Sequence, residues 1–189
     1  MVKKLLLSIA VFAVAASVLA LGSNAVFTST ASNDANTFTT GTVVISTSPA
    51  TAFITYSGMA PGDKVTSALT VSNAGTLQLR YAVTSTTTEN TLAAQLDLTI
   101  KSGVTTCTNG GFGVDGTVVY ATGDLGSTTG VNVIGNPAQG AQAGDRPLAA
   151  SANEVLCFNV SLPLSTGNTF QGLTTTATFA FQAEQTTNN

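Results

Sequence analysis

The chain has 189 residues, with six basic and nine acidic side chains, two cysteines and no histidine. Charged residues make up 8%, about a third of the ~25% usual for soluble domains, while 43% of the chain is hydrophobic. So few cations cannot neutralise many phosphates, which argues against nucleic acid and anionic lipid as partners, and the missing His removes the commonest zinc ligand and general base.

The N-terminus reads as a secretory signal over residues 1–25: Lys3 and Lys4 supply the positive start, residues 5–21 are almost wholly apolar, and small and polar residues follow. Ser23, Asn24 and Ala25 place small residues where a signal peptidase reads, so cleavage is expected between Ala25 and Val26. An uncleaved anchor is the competing reading, because the apolar run approaches the ~18 residues that begin to span a bilayer. The lack of a basic stop-transfer cluster favours cleavage, leaving membrane contact transient and the product exported. The mature chain then carries four basic against nine acidic residues, a net charge of −5.

Residues 26–42 form the new N-terminal segment, AVFTSTASNDANTFTTGT when Ala25 is included. Val26 and Phe27 are apolar, a polar run with Asn33, Asp34 and Asn36 follows, and then Phe38. An apolar pair at a free terminus needs a groove to lie in, of its own domain or of a neighbour. Residues 43–189 read as one β-sandwich domain. Within it TVVIST (42–47) and AFITY (52–56) predict two strands separated by Ser48-Pro49. Residues 58–64, GMAPGDK, predict a turn around Pro61-Gly62-Asp63.

Val65, Ser67, Leu69 and Val71 then share one face of a strand, and after Asn73-Ala74-Gly75 the period resumes with Leu79, Tyr81 and Val83. The two strands would be antiparallel neighbours if they form a hairpin. Residues 86–94 leave room for one helical turn, and Leu96, Leu98 and Ile100 define the next strand. Residues 103–151 are rich in Gly, Asn, Asp and Pro, with short apolar runs at 117–120 and 131–134. They read as a long excursion of the same domain. Leu156, Phe158, Val160 and Leu162 mark a strand ended by Pro163, and Ala177, Phe179, Phe181 and Ala183 mark the last. Eight to ten strands without an amphipathic helix argue for an all-β, antiparallel β-sandwich.

Cys107 and Cys157 bracket the excursion, and an even pair in an exported chain predicts one disulfide. No CxxC and no His point to a nucleophile or metal pair. Calcium is a possible ligand of the loop acids Asp115, Asp124 and Asp145, although no D-x-D-x-D-G spacing is present; no other cofactor is indicated. Gly113 to Gly116 lack the GK[ST] of a phosphate loop, and the sequon at Asn159 falls inside a predicted strand.

Three stretches in order, VFTSTASNDANTFTTGTVVIS, MAPGDKVTSALTVSNAGTLQLRY and LCFNVSLPLSTGNTFQGLTTTATFAFQAEQTTNN, resemble the TasA/camelysin family of secreted proteins. Its NTF-x-x-G-T segment matches Asn36 to Thr42, its PGD turn matches Pro61-Gly62-Asp63, and its N-x-G matches Asn73-Ala74-Gly75. The resemblance implies a jelly-roll-like subunit that is exported and joined to copies of itself in extracellular matrix fibres, the N-terminal segment of one subunit donated as a strand to the next. Val26, Phe27, Thr28, Ser29 and Thr30 would be that donor strand, and the run to Asn36 its linker. The camelysin side of the family carries a metallo-endopeptidase label, but a chain without His cannot supply the HExxH motif. A monomeric secreted sandwich, whose N-terminus completes its own sheet, is the plainer alternative.

Overall fold

A computed structural model describes residues 37–187 together with Val2, Lys3, Lys4, Leu6 and Ser29. Two compact units divide at Thr39 and Thr40, and all the strands of the described residues lie in the second, Thr40–Asn189. The described residues form nine strands in order: β1 Ile45–Ser48, β2 Lys64–Asn73, β3 Leu79–Thr87, β4 Asp97–Ser102, β5 Thr117–Asp124, β6 Val131–Ile134, β7 Arg146–Leu148, β8 Asn153–Ser161 and β9 Ala177–Gln185.

Every ladder between them is antiparallel. One sheet has the order β1-β2-β8-β4-β5. In the other, β9 pairs with the whole of β3, so β6 and β7 must share its opposite edge, β6 beside Val83–Ser85 and β7 beside Leu79–Tyr81. The chain passes from sheet to sheet between β2 and β3, β3 and β4, β5 and β6, β7 and β8, and β8 and β9. That alternation builds a sandwich of the jelly-roll kind.

The period-2 pattern supplies the core. Leu69, Val71, Leu98, Ile100, Leu156 and Phe158 line the inner face of the first sheet, and Leu79, Tyr81 and Val83 face them from the second, all at most 1% exposed. Burying one such side chain stabilises by about 1.5–3 kcal/mol. Thr87 and Ser85 end the inner row of β3; Ser85 Oγ donates to Leu125 O at 2.6 Å, which satisfies a hydroxyl with no solvent exposure.

Three expectations need correction. Residues 52–56 form no strand; their backbone joins no ladder, and Phe53 instead turns inward against the core. The strands β2 and β3 are not a hairpin, because Asn73 turns the chain into the other sheet. Its Nδ2 donates to Leu77 O, Leu148 O and Ala149 O, while its Oδ1 accepts Gly75 N–H. Finally, residues 42–44 precede β1 rather than belonging to it, and β1 extends to Ser48.

The helical turn expected in residues 86–94 is present at residues 90–96, with Leu96 N–H donating to Leu92 O. Glu89 caps it: Oε2 accepts the N–H groups of Thr91 at 2.6 Å and Leu92 at 2.9 Å, and Oε1 accepts that of Ala93 at 3.0 Å. Partial desolvation pushes the Glu89 carboxyl up, but the hydrogen bonds from Leu92 and its neighbours outweigh it and hold the carboxyl below the usual range. A depressed folded pKa adds stability above the unfolded value, about 4.3, and loses it as pH falls through the folded value. Glu89→Ala is therefore expected to cost about 0.5–1 kcal/mol at pH 7, the low end for a half-exposed cap. Denaturant titrations at pH 7 and pH 3 should show that gap closing in acid.

Candidate functional site

The sequence points to the N-terminal segment, and the structure shows where that segment joins the domain. Thr42 N–H donates to Thr76 Oγ1 at 2.9 Å, Thr76 N–H returns a bond to Thr42 Oγ1 at 3.2 Å, and Leu77 N–H donates to Thr42 O at 3.1 Å. This clip requires glycine on both sides. A Cβ on Gly75 would lie 2.3 Å from Thr42 O, and one on Gly41 would lie 2.5 Å from the Leu77 side chain. The G-T of the NTF-x-x-G-T segment and the N-x-G of residues 73–75 are thus two halves of one contact. Just before the clip, Phe38 is 95% exposed.

Ala25, Val26, Phe27, Thr28 and Thr30 lie outside the described residues, as do Asn33, Asp34 and Asn36. Of the expected donor strand only Ser29 is described, exposed and outside any helix or strand.

What a donated strand would need is an open edge, and the domain has two on one side. Among the described residues, β9 forms its only ladder with β3, in regular register without a bulge, which leaves the far side of residues 177–183 open to a further strand. Across from it, β1 covers only Thr70–Asn73 of β2, so among the described residues 65–69 of β2 pair only with β8. The edge at β5 differs, since its ladder with β4 shifts register twice, and bulges are a usual guard against edge pairing.

Between the two open edges lies a cavity of about 260 Å³, lined by Phe53, Tyr56, Val65, Val160 and Phe179 among others. Phe53 stands at its wall, its ring 5.0 Å from Phe158 and 5.8 Å from Phe179, while Phe158 and Phe179 meet edge-on at 5.1 Å. The turn at residues 58–64 closes one end. Gly62 takes φ +94°, Gly62 N–H donates to Leu162 O, and Leu162 N–H donates to Asp63 O. Asp63 Oδ2 accepts Tyr56 O–H at 3.1 Å, which pushes the Tyr56 hydroxyl up from its ordinary value.

Cys107 and Cys157 are joined, with Cα atoms 5.6 Å apart. Cys157 lies on the outer face of β8 and is 1% exposed, so the bridge ties residues 103–116 across that face. Asn109 Nδ2 donates to Lys64 O at 2.8 Å, and Lys101 Nζ donates to Phe112 O at 2.8 Å while lying 4.8 Å from the Phe112 ring centroid.

The loop acids proposed for calcium are not brought together. Asp115 accepts Thr105 N–H, and hydrogen bonding by Thr105 holds its carboxyl low. Asp124 pairs across the ladder with Asp97. Asp145 accepts the N–H groups of Asn136 and Gln142 and lies 4.0 Å from Arg80. Sequence reasoning missed two partly buried ionic clusters, for which distance in sequence leaves no local signal. Arg80 Nε donates to Glu184 at 2.5 Å. Glu154 accepts Tyr81 O–H at 2.7 Å and pairs with Arg146, which ties the two sheets together. Burial, aided by Glu154, pushes the Tyr81 hydroxyl far up.

A zinc peptidase centre does not fit these residues. The sequence has no His, both cysteines are bridged, and among the described residues no three acidic or Cys side chains converge. Among the described residues no helix is long and apolar enough to cross a membrane. Comparison with curated proteins finds no match. The family model described as camelysin metallo-endopeptidase matches residues 1–189, the whole sequence. The chain therefore belongs to the TasA/camelysin family.

Proposed function

We propose that this chain is a secreted, non-enzymatic structural protein that joins copies of itself into extracellular fibres. Val26, Phe27, Thr28, Ser29 and Thr30 of one copy add as a strand to the open side of the next. The observation that carries this reading is the geometry around the clip at Thr42. The compact unit that holds the strands begins beside it at Thr40, Phe38 is solvent-facing, and among the described residues that unit leaves residues 65–69 of β2 and 177–183 of β9 with no second ladder on one side.

The physics is β-augmentation: main-chain hydrogen bonds fill an open edge, and alternate side chains fill pockets. Val26 and Phe27 supply the apolar contacts, and residues 31–36 supply a polar linker. Family membership supports an extracellular role of this general kind, while the donor set argues against the peptidase activity in the family's description. Phe27→Ser in the mature chain tests the reading by light scattering. The variant is expected to stay monomeric under conditions where the parent grows, with an unchanged thermal melt. Growth at the parental rate would refute the donor role.

A further inference from the structure

Among the described residues, 51–57 make no backbone hydrogen bond, although they run beside residues 65–69 of β2 and the first part of β9, where no second ladder is formed with a described strand. Buried or edge-facing main chain is ordinarily paired, so this segment wastes the ladder positions next to it. Its contacts to the other described residues are made by side chains. Phe53 reaches into the Phe158–Phe179 pair, Ile54 packs on the core, and Tyr56 O–H bonds Asp63. Thr51, Ala52, Thr55, Tyr56 and Ser57 are exposed. Few backbone bonds and one aromatic anchor put such a segment at the low-stability end of a fold.

We propose that residues 52–56 are a resident plug of the acceptor cleft, displaced when the N-terminal strand of a second copy enters. This inference rests on the donor-strand reading above and names the place and the regulation of the same site. The incoming strand lies along residues 65–69 of β2, in line with β1, and its Phe27 takes the position of Phe53 against Phe158 and Phe179. One aromatic replaces another, so apolar burial is nearly conserved, while ladder hydrogen bonds are gained that the plug does not make with any described strand. The plug keeps the monomer's core covered until a partner arrives and sets a barrier to spontaneous assembly.

The exchange can be read on the mature chain starting at Val26, comparing its monomeric and assembled fractions. In the assembled fraction, chymotryptic cleavage after Phe53 is expected to rise about tenfold, and amide exchange in residues 65–69 to slow by about tenfold or more. Tyr56→Phe, which removes only the hydroxyl that meets Asp63, is expected to shorten the lag before assembly about twofold without disturbing the core. It serves alongside Phe53→Ala, whose folding is itself at risk. If assembly proceeds while Phe53 stays protected and only β9 gains exchange protection, the plug is overturned and strand donation stands. An unchanged lag in Tyr56→Phe also counts against the plug. If the mature chain never assembles, both readings fall together.

Discussion

Phe158→Ala is expected to cost about 3–5 kcal/mol, the range for emptying a buried aromatic site. Phe158 has no solvent exposure and sits on β8, which is laddered to β2 on one side and β4 on the other. Its ring is held edge-on by both Phe53 and Phe179, and such aromatic contacts add about 0.5–1.5 kcal/mol beyond area. Neighbours fixed by two ladders cannot collapse into the void. The loss is a large share of the 5–15 kcal/mol that folds a typical domain. Denaturant unfolding checks it, with Leu164→Ala as the control. Leu164 is 81% exposed, so its truncation is expected to stay within about 0.5 kcal/mol. Similar costs for the two would mean that the core is misplaced.

Removing the disulfide is expected to be nearly as severe. Cys107 and Cys157 are 50 positions apart, and closing a loop of that size stabilises by about 4 kcal/mol in the chain-entropy model, less any native strain. The bridge also pins residues 103–116 over the outer face of β8, where Cys157 and Asn159 are both buried. A Cys107→Ala/Cys157→Ala variant should therefore melt lower than the parent and expose Asn159 to solvent. Reductant should bring the parent down to the variant's melting temperature and leave the variant unchanged. A parent whose melt ignores reductant, with both thiols then titrating as free, would contradict the stabilising role.

Strand positions were readable wherever side chains alternate between a core and an outer face. Leu69 and Val71, Leu98 and Ile100, Leu156 and Phe158, and Phe179 and Phe181 carry that period and fall in strands. The run AFITY carries the same β-branched and aromatic composition, yet joins no ladder, because propensity reports a side chain's fit to a packed surface rather than main-chain pairing. The short β7 escaped notice for the opposite reason: Arg146, Pro147 and Leu148 offer three residues, one of them a proline, and their pairing with β3 is decided across more than 60 positions. The partner sheet of β3 was equally hidden, since Asn73 redirects the chain with side-chain bonds to Leu148 and Ala149. Of the candidate site, the leader and the apolar pair direct attention to the N-terminal segment, whose Val26 and Phe27 lie outside the described residues. The receiving side was not legible, because an unpaired edge is a property of topology.

Strand donation is tested most directly by electron microscopy of the mature protein starting at Val26, beside the same protein lacking residues 26–33. Fibres are expected only from the first, with the second remaining as folded monomers of parental melting temperature. Fibres of equal length from the shortened chain would show that the open side of the sandwich is filled by something other than the N-terminal strand.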